Sequence, residues 1–129
     1  MSTNLDGVFL TFQAAMATLR PQDNGRMIVI SSIAGVRGLK NAIPYPLTKH
    51  AVIGLTRALC NEWAPHGVNV NAIAPGYTAT YNTQALRDDP ERSKALLGRI
   101  PAGRFADPSE IAGAAVFLAS NAAAYCHGS

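Results

Sequence analysis

The sequence predicts an α/β fold built on a parallel sheet, and three observations carry that reading. Helical apolar periodicity over residues 4–19 and 44–63 alternates with two short apolar runs, 27–30 and 68–73. The first run, Met27-Ile-Val-Ile30, is continuously apolar, as suits a strand covered on both faces. A last helix opening at Asp107 extends the alternation to helix, strand, helix, strand, irregular segment, helix.

In residues 4–19, Leu5, Val8, Phe9, Phe12, Ala15, Met16 and Leu19 recur at helical spacing, and Pro21, Asn24 and Gly25 punctuate the turn that follows. The first strand ends at Ser31-Ser32, and Gly35 and Gly38 loosen the loop behind it. The second helix starts near Pro44 to Pro46, where proline suits a first turn that would leave its amide unpaired. Val52, Ile53, Leu55, Thr56, Leu59 and Trp63 form its apolar face, and Pro65-His66-Gly67 ends it. Val68 to Ile73 alternates Val and Ile with Asn and reads as the second strand, stopped by Pro75-Gly76.

Residues 77–105 are polar and irregular, with room for two short helices. A stretch of that length in a compact domain reads as a lid or binding loop. Asp107-Pro-Ser-Glu110 opens the last helix with Asp as N-cap, Pro at N1 and Glu at N3, and Ile111, Ala115, Val116, Leu118 and Ala119 are its expected buried side. Two strands leave both sheet edges unpaired. The sequence is therefore expected to belong to a larger sheet.

Composition narrows the function. The 129 residues fit one domain, and 48% hydrophobic with 15% charged residues marks a globular chain. The net charge of +3 is mild and its basic residues are scattered, with no cationic stripe interleaved with aromatics, so no nucleic-acid partner is expected. An anionic ligand is compatible with that balance. Cys60 and Cys126 lack partners at zinc-like spacing and read as free thiols in a reducing compartment, with no metal site. There is neither a signal-peptide pattern nor an apolar stretch of about 20 residues. A soluble, cytoplasmic protein without a membrane partner is the expectation.

Chemistry concentrates at Ser31-Ser32 and at Tyr45-Pro-Leu-Thr-Lys49. Residues i and i+4 share one helix face, about 5–6 Å apart at Cβ. An ammonium beside a phenol favours the phenolate, which makes a poor acid able to exchange a proton near neutral pH. A serine at the preceding strand end can then hold a carbonyl oxygen. Alone, Tyr-x-x-x-Lys is an ordinary exposed helix pair, and its surroundings give it meaning.

Along essentially all 129 positions these motifs resemble the carboxyl-terminal half of short-chain dehydrogenases/reductases. Asn4-Leu-Asp-Gly-Val-Phe9 is similar to the central helix carrying that family's active-site Asn, and Ile30-Ser-Ser-Ile-Ala-Gly35 to the strand end carrying its Ser. Ser32, thirteen residues before Tyr45, has the family spacing that Ser31 lacks. Tyr45-x-x-x-Lys49 resembles the signature pair, with Thr48 where Ser is commoner, and Asn71-Ala-Ile-Ala-Pro-Gly-Tyr-Thr-Ala-Thr80 resembles the Pro-Gly turn beside the nicotinamide.

The resemblance implies a partial doubly wound, Rossmann-like parallel sheet, of which only the C-terminal half is present. Tyr45 is then the acid/base, and Lys49 favours its phenolate and binds the nicotinamide ribose. Ser32 binds the substrate oxygen, and Asn4 positions a water linking Lys49 to solvent. Thr80, with the backbone at Pro75, Gly76 and Thr78, fixes the carboxamide of NAD or NADP.

The family's glycine-rich phosphate turn and the residue that chooses between the two dinucleotides are absent. Residues 1–129 are accordingly expected to be the C-terminal catalytic portion of such a domain, without its N-terminal βαβ units and last strand. The two long helices imply a homo-oligomer, dimer or tetramer. Pro75 to Arg87 and Arg99 to Phe105 resemble the members acting on 2-deoxy-D-gluconate and related sugar acids, with Arg87, Arg99 and Arg104 as candidates for a substrate carboxylate. Two other readings stand beside this one: an inactive remnant serving only assembly, and a 3-oxoacyl-thioester reductase.

Overall fold

The computed structural model describes residues 1–40 and 42–129. Its centre is a parallel pair, β1 (Gly25–Ile30) and β2 (Val68–Ile73), in register from Gly25↔Val68 to Ile30↔Ile73. Helix α1 (Gly7–Leu19) precedes β1, and α2 (Pro44–Trp63) crosses from β1 to β2. Two short helices, α3 (Gln84–Arg87) and α4 (Pro90–Leu97), lie in the long segment after β2, before α5 (Ser109–Ala119).

Phe12, Met27, Val29, Val52, Cys60, Val68 and Val70 close a core between α1, α2 and one sheet face. The rings of Phe12 and Trp63 meet within it at 6.5 Å. Thr48 and Thr56 are buried in α2 without an unpaired hydroxyl, because they donate to the Tyr45 and Val52 carbonyls at 2.9 and 2.8 Å. A smaller cluster of Ile73, Leu118 and Ala123 covers part of the other face.

Three expectations need correction. The first helix does not begin at Asn4: Ser2–Asp6 forms a π-type turn whose following amide, on Gly7, reaches the Ser2 carbonyl. β1 is not covered on both faces along its length. Met27 and Val29 are buried against α1 and α2, but the opposite face meets only the short α5 at Ile28, and Ile30 stays 50% exposed. In α5 the inward stripe is Ile111, Ala115 and Leu118, while Val116 and Ala119 point outward, because spacings of four and three select one helix face. β2 forms over Val68–Ile73 with nearly every residue buried. Asn69 and Asn71 are buried, and Asn69 Nδ2 donates to the Ala123, Ala124 and Cys126 carbonyls at 3.0–3.2 Å.

The segment held by these asparagines runs along the second edge of β2, where Gly128 N–H donates to the Val70 carbonyl and Ala72 N–H to Ser129. Gly67 ends the turn after α2 with φ +71°, and a Cβ there would collide with Asp23, itself left-handed at φ 53°. Cys60 and Cys126 are free thiols. Among the described residues no helix is long and apolar enough to cross a membrane.

Candidate active site

Parallel strands direct their carboxyl ends to one side of the sheet, and ligands of open α/β sheets bind in the crevice outside those ends. Here Ser31-Ser32 follow β1 and Pro75-Gly76 follow β2, tied together where Ile33 N–H donates to the Pro75 carbonyl at 2.8 Å. The first turn of α2 lies across from them. The result is an open cleft of about 310 Å³ whose lining includes Ser32, Tyr45, Pro75, Gly76, Thr78 and Thr80. Six of the eight residues expected from sequence to serve catalysis or cofactor binding meet there.

The two serines separate by environment. Ser31 is 3% exposed and its Oγ donates to the Lys49 carbonyl at 2.9 Å, fastening the loop to α2. Ser32 starts the 3₁₀ turn Ile33–Gly35, and its Oγ accepts from Ala34 N–H at 3.1 Å. That bond uses a lone pair and leaves the hydroxyl hydrogen free to donate into the cleft.

Tyr45 occupies the second position of α2 and is 42% exposed at the cleft. One turn on, Lys49 extends beneath it, with Nζ 5.7 Å from the Tyr45 ring centroid and donating to the Ile30 carbonyl at 2.7 Å. Lys49 itself does not line the cleft. The i, i+4 relation brings cation and phenol ring together, and the end of β1 holds the cation in place.

Asn4 is not brought to the cleft. It is exposed in the π-type turn, which packs on α2, the helix that carries Tyr45 and Lys49. Thr80 caps the 3₁₀ turn Tyr81–Thr83 in a reciprocal box with Thr83, and Thr83 Oγ1 also donates to the Thr78 carbonyl at 2.6 Å. Asn82, Thr83, Pro108 and Ile111 line the cleft as well, and sequence reasoning missed them. The Asp107 capping signal located the start of α5, but nothing local says that this turn closes a cleft floor.

Arg104 and Arg87 are already committed. Arg104 makes two 2.6 Å bonds to Glu110, whose Oε2 also accepts the Asp107 amide at 2.7 Å. These partners hold the Glu110 carboxyl down to about 2 and raise Arg104. Asp107 is lowered by the side chain and amide of Ser109. Arg87 donates to the Thr80 carbonyl and Gln84 Oε1, bracing α3 against the cleft rim.

The cleft's polar groups are neutral hydroxyls, an amide and backbone, and beyond Gly76 and its chain neighbours no atom lies within 4 Å of where a Gly76 Cβ would stand. This donor set fits an uncharged carboxamide and a ribose. No cation lines the cleft to meet a pyrophosphate. Among the described residues no group of His, Cys, Asp or Glu is placed to hold a metal.

The whole chain, residues 1–129, matches the family model described as enoyl-(acyl carrier protein) reductase. A 2-dehydro-3-deoxy-D-gluconate 5-dehydrogenase from Dickeya dadantii is 48% identical over 129 residues, 99% of this chain and 51% of the relative. A 3-oxoacyl-[acyl-carrier-protein] reductase from Vibrio cholerae is 41% identical over 128 residues, 99% of this chain and 52% of the relative. The crystal structure of an Agrobacterium tumefaciens protein assigned as a 2-deoxy-D-gluconate 3-dehydrogenase, with bound NADP, superposes with a TM-score of 0.93 at 51% identity, covering 97% of this chain and 51% of that one. The chain thus spans about half the length of the curated relatives it matches.

Proposed function

This chain belongs to the short-chain dehydrogenase/reductase family, and from that premise we propose that the intact protein is an NAD(P)-dependent oxidoreductase interconverting a secondary alcohol and a ketone on a sugar acid. The observation that carries the reading is the meeting of Ser32 and Tyr45 with the Pro75-Gly76 turn in one cleft, with Lys49 held behind the tyrosine.

Tyr45 gives a proton to the substrate oxygen in reduction and takes it in oxidation. Ser32 donates its free hydroxyl hydrogen to the same oxygen, steadying charge that develops there. Lys49 keeps a cation on one face of the tyrosine, and an ammonium bonded once to Ile30 retains two further donors for ribose hydroxyls. Thr78, Thr80 and the backbone at Pro75 and Gly76 would hold the carboxamide, and the bound cofactor supplies or accepts the hydride. Asn4, exposed in the turn that packs on α2, would position a water for Lys49. Residues 1–129 form the catalytic portion of this enzyme. Phe9 and Leu10 of α1, 49% and 59% exposed, support self-association through the face shared with α2.

The test is turnover of the full-length protein with NAD or NADP on 2-dehydro-3-deoxy-D-gluconate and D-gluconate, against an acetoacetyl thioester. Sugar-acid turnover is expected. Preference for the thioester would move the assignment to the ketoacyl class, and turnover of neither would favour an assembly remnant. Tyr45→Phe should lower kcat by about 10²–10⁴-fold while cofactor affinity, followed by nicotinamide fluorescence, stays at the wild-type value. Unchanged kcat would remove Tyr45 from the chemistry.

A further inference from the structure

Two adjoining cavities, of about 430 and 240 Å³, lie next to the cleft and share Leu39, Tyr77 and Arg99 in their linings. The smaller one meets the cleft at Gly76, which lines both. Lys40, Arg92 and Arg99 line the larger cavity, and Arg37 and Arg99 the smaller. No acidic side chain is among the lining residues of either. Cations of one sign around a concave surface add their potentials and favour an anion there.

Arg37 and Lys40 come from the loop after β1, whereas Arg92 and Arg99 come from α4 and the residues behind it. An anion between them would join the loop to the lid segment. Arg87 and Arg104 are engaged with lid and cap partners, so Arg99 is the one of the three sequence-selected arginines that faces these cavities.

We propose that Arg99 is the specificity residue that binds the carboxylate of the substrate, seated in the cavity that opens beside Gly76, with Arg37 and Lys40 adding charge. The proposal rests on the oxidoreductase reading above. It locates the acid group of a substrate whose reacting alcohol lies between Ser32 and Tyr45. A guanidinium suits this task because its planar fork meets both carboxylate oxygens at once, which an ammonium cannot do.

The experiment compares D-gluconate with D-glucitol, the six-carbon polyol that lacks the carboxylate, in the full-length protein with saturating NADP. Arg99→Gln should raise KM for gluconate about 10–100-fold and leave kcat and the glucitol KM unchanged, with Arg99→Lys recovering part of the loss. Calorimetric titration of gluconate should show the same loss of affinity without relying on turnover. Equal gluconate affinity in wild type and Arg99→Gln overturns the proposal, even if sugar acids are turned over. Arg99-dependent gluconate binding without turnover would leave the carboxylate site standing and refute the oxidoreductase reading alone. An Arg99 effect confined to acetoacetyl-coenzyme A would assign the anion to a phosphate and overturn the carboxylate assignment. Should Arg99→Gln not fold, the Arg99→Lys titration decides, since an unchanged gluconate affinity there excludes bidentate capture.

Discussion

A methyl group built on Gly35 would stand 2.5 Å from Ser31 Oγ and 2.6 Å from the Lys49 carbonyl oxygen, one of them backbone that cannot turn aside. The glycine lets the serine loop press directly on α2, so Ser32 and Tyr45 reach one cleft from different elements. Gly35→Ala should cost about 1–3 kcal/mol in a denaturant titration and reduce turnover further by parting the two hydroxyls. Gly76 is the counter-case. Beyond its chain neighbours nothing stands within 4 Å of its absent Cβ, so Gly76→Ala should leave the denaturation midpoint unchanged while weakening cofactor binding from within the cleft. Equal stability losses in the two variants would contradict this contrast.

At the scale of the element, α5 shows how a local signal and its energetics coincide. Asp107 accepts from the Ser109 amide, and Glu110 reaches back to the Asp107 amide, closing a reciprocal cap two residues ahead of the first assigned helical residue. Arg104 adds its two bonds to the same carboxylate. Glu110 is held down to about 2 from an ordinary 4.5. For a lowered carboxyl, the contribution is complete above the unfolded value and disappears as pH falls through the folded one. Protection of the Asp107 amide from exchange should therefore hold above about pH 4.5 and fade toward pH 2. Glu110→Gln should remove that dependence. Since both side chains are exposed, the effect belongs to the cap and cleft floor and should scarcely move global stability.

For the whole molecule, the buried asparagines of β2 decide how the last ten residues lie. Asn69 satisfies three carbonyls of the 123–126 segment, and Asn71 both donates to Cys126 and accepts from Ser129. Replacing Asn69 by Ala would remove three bonds to this segment while the Ala123 and Cys126 carbonyls keep the Cys126 amide and Asn71 Nδ2, a loss of about 0.5–1.5 kcal/mol. The expected result is loss of amide protection across 120–129 with β1–β2 pairing retained. Concerted loss in both regions would mean that this segment is integral to the sheet.

Local pattern determined a good deal. Helical spacing and prolines placed α2 at Pro44–Trp63, and β2 was legible as Val68–Ile73. These features are written in neighbouring residues, so no distant contact is needed to read them. Other outcomes depended on groups far apart in sequence. The strand asparagines are buried with their amides donating to carbonyls more than fifty residues away. The three candidate arginines were indistinguishable in sequence until Glu110, Gln84 and the Thr80 carbonyl engaged two of them. Asn4 lies outside the cleft, exposed in a π-type turn that packs on α2, a placement no neighbouring residue announces. Side-chain identity and spacing specify which chemistry is available, but burial and unpaired partners exist only once the chain has packed, and they decide which residues are left free to act.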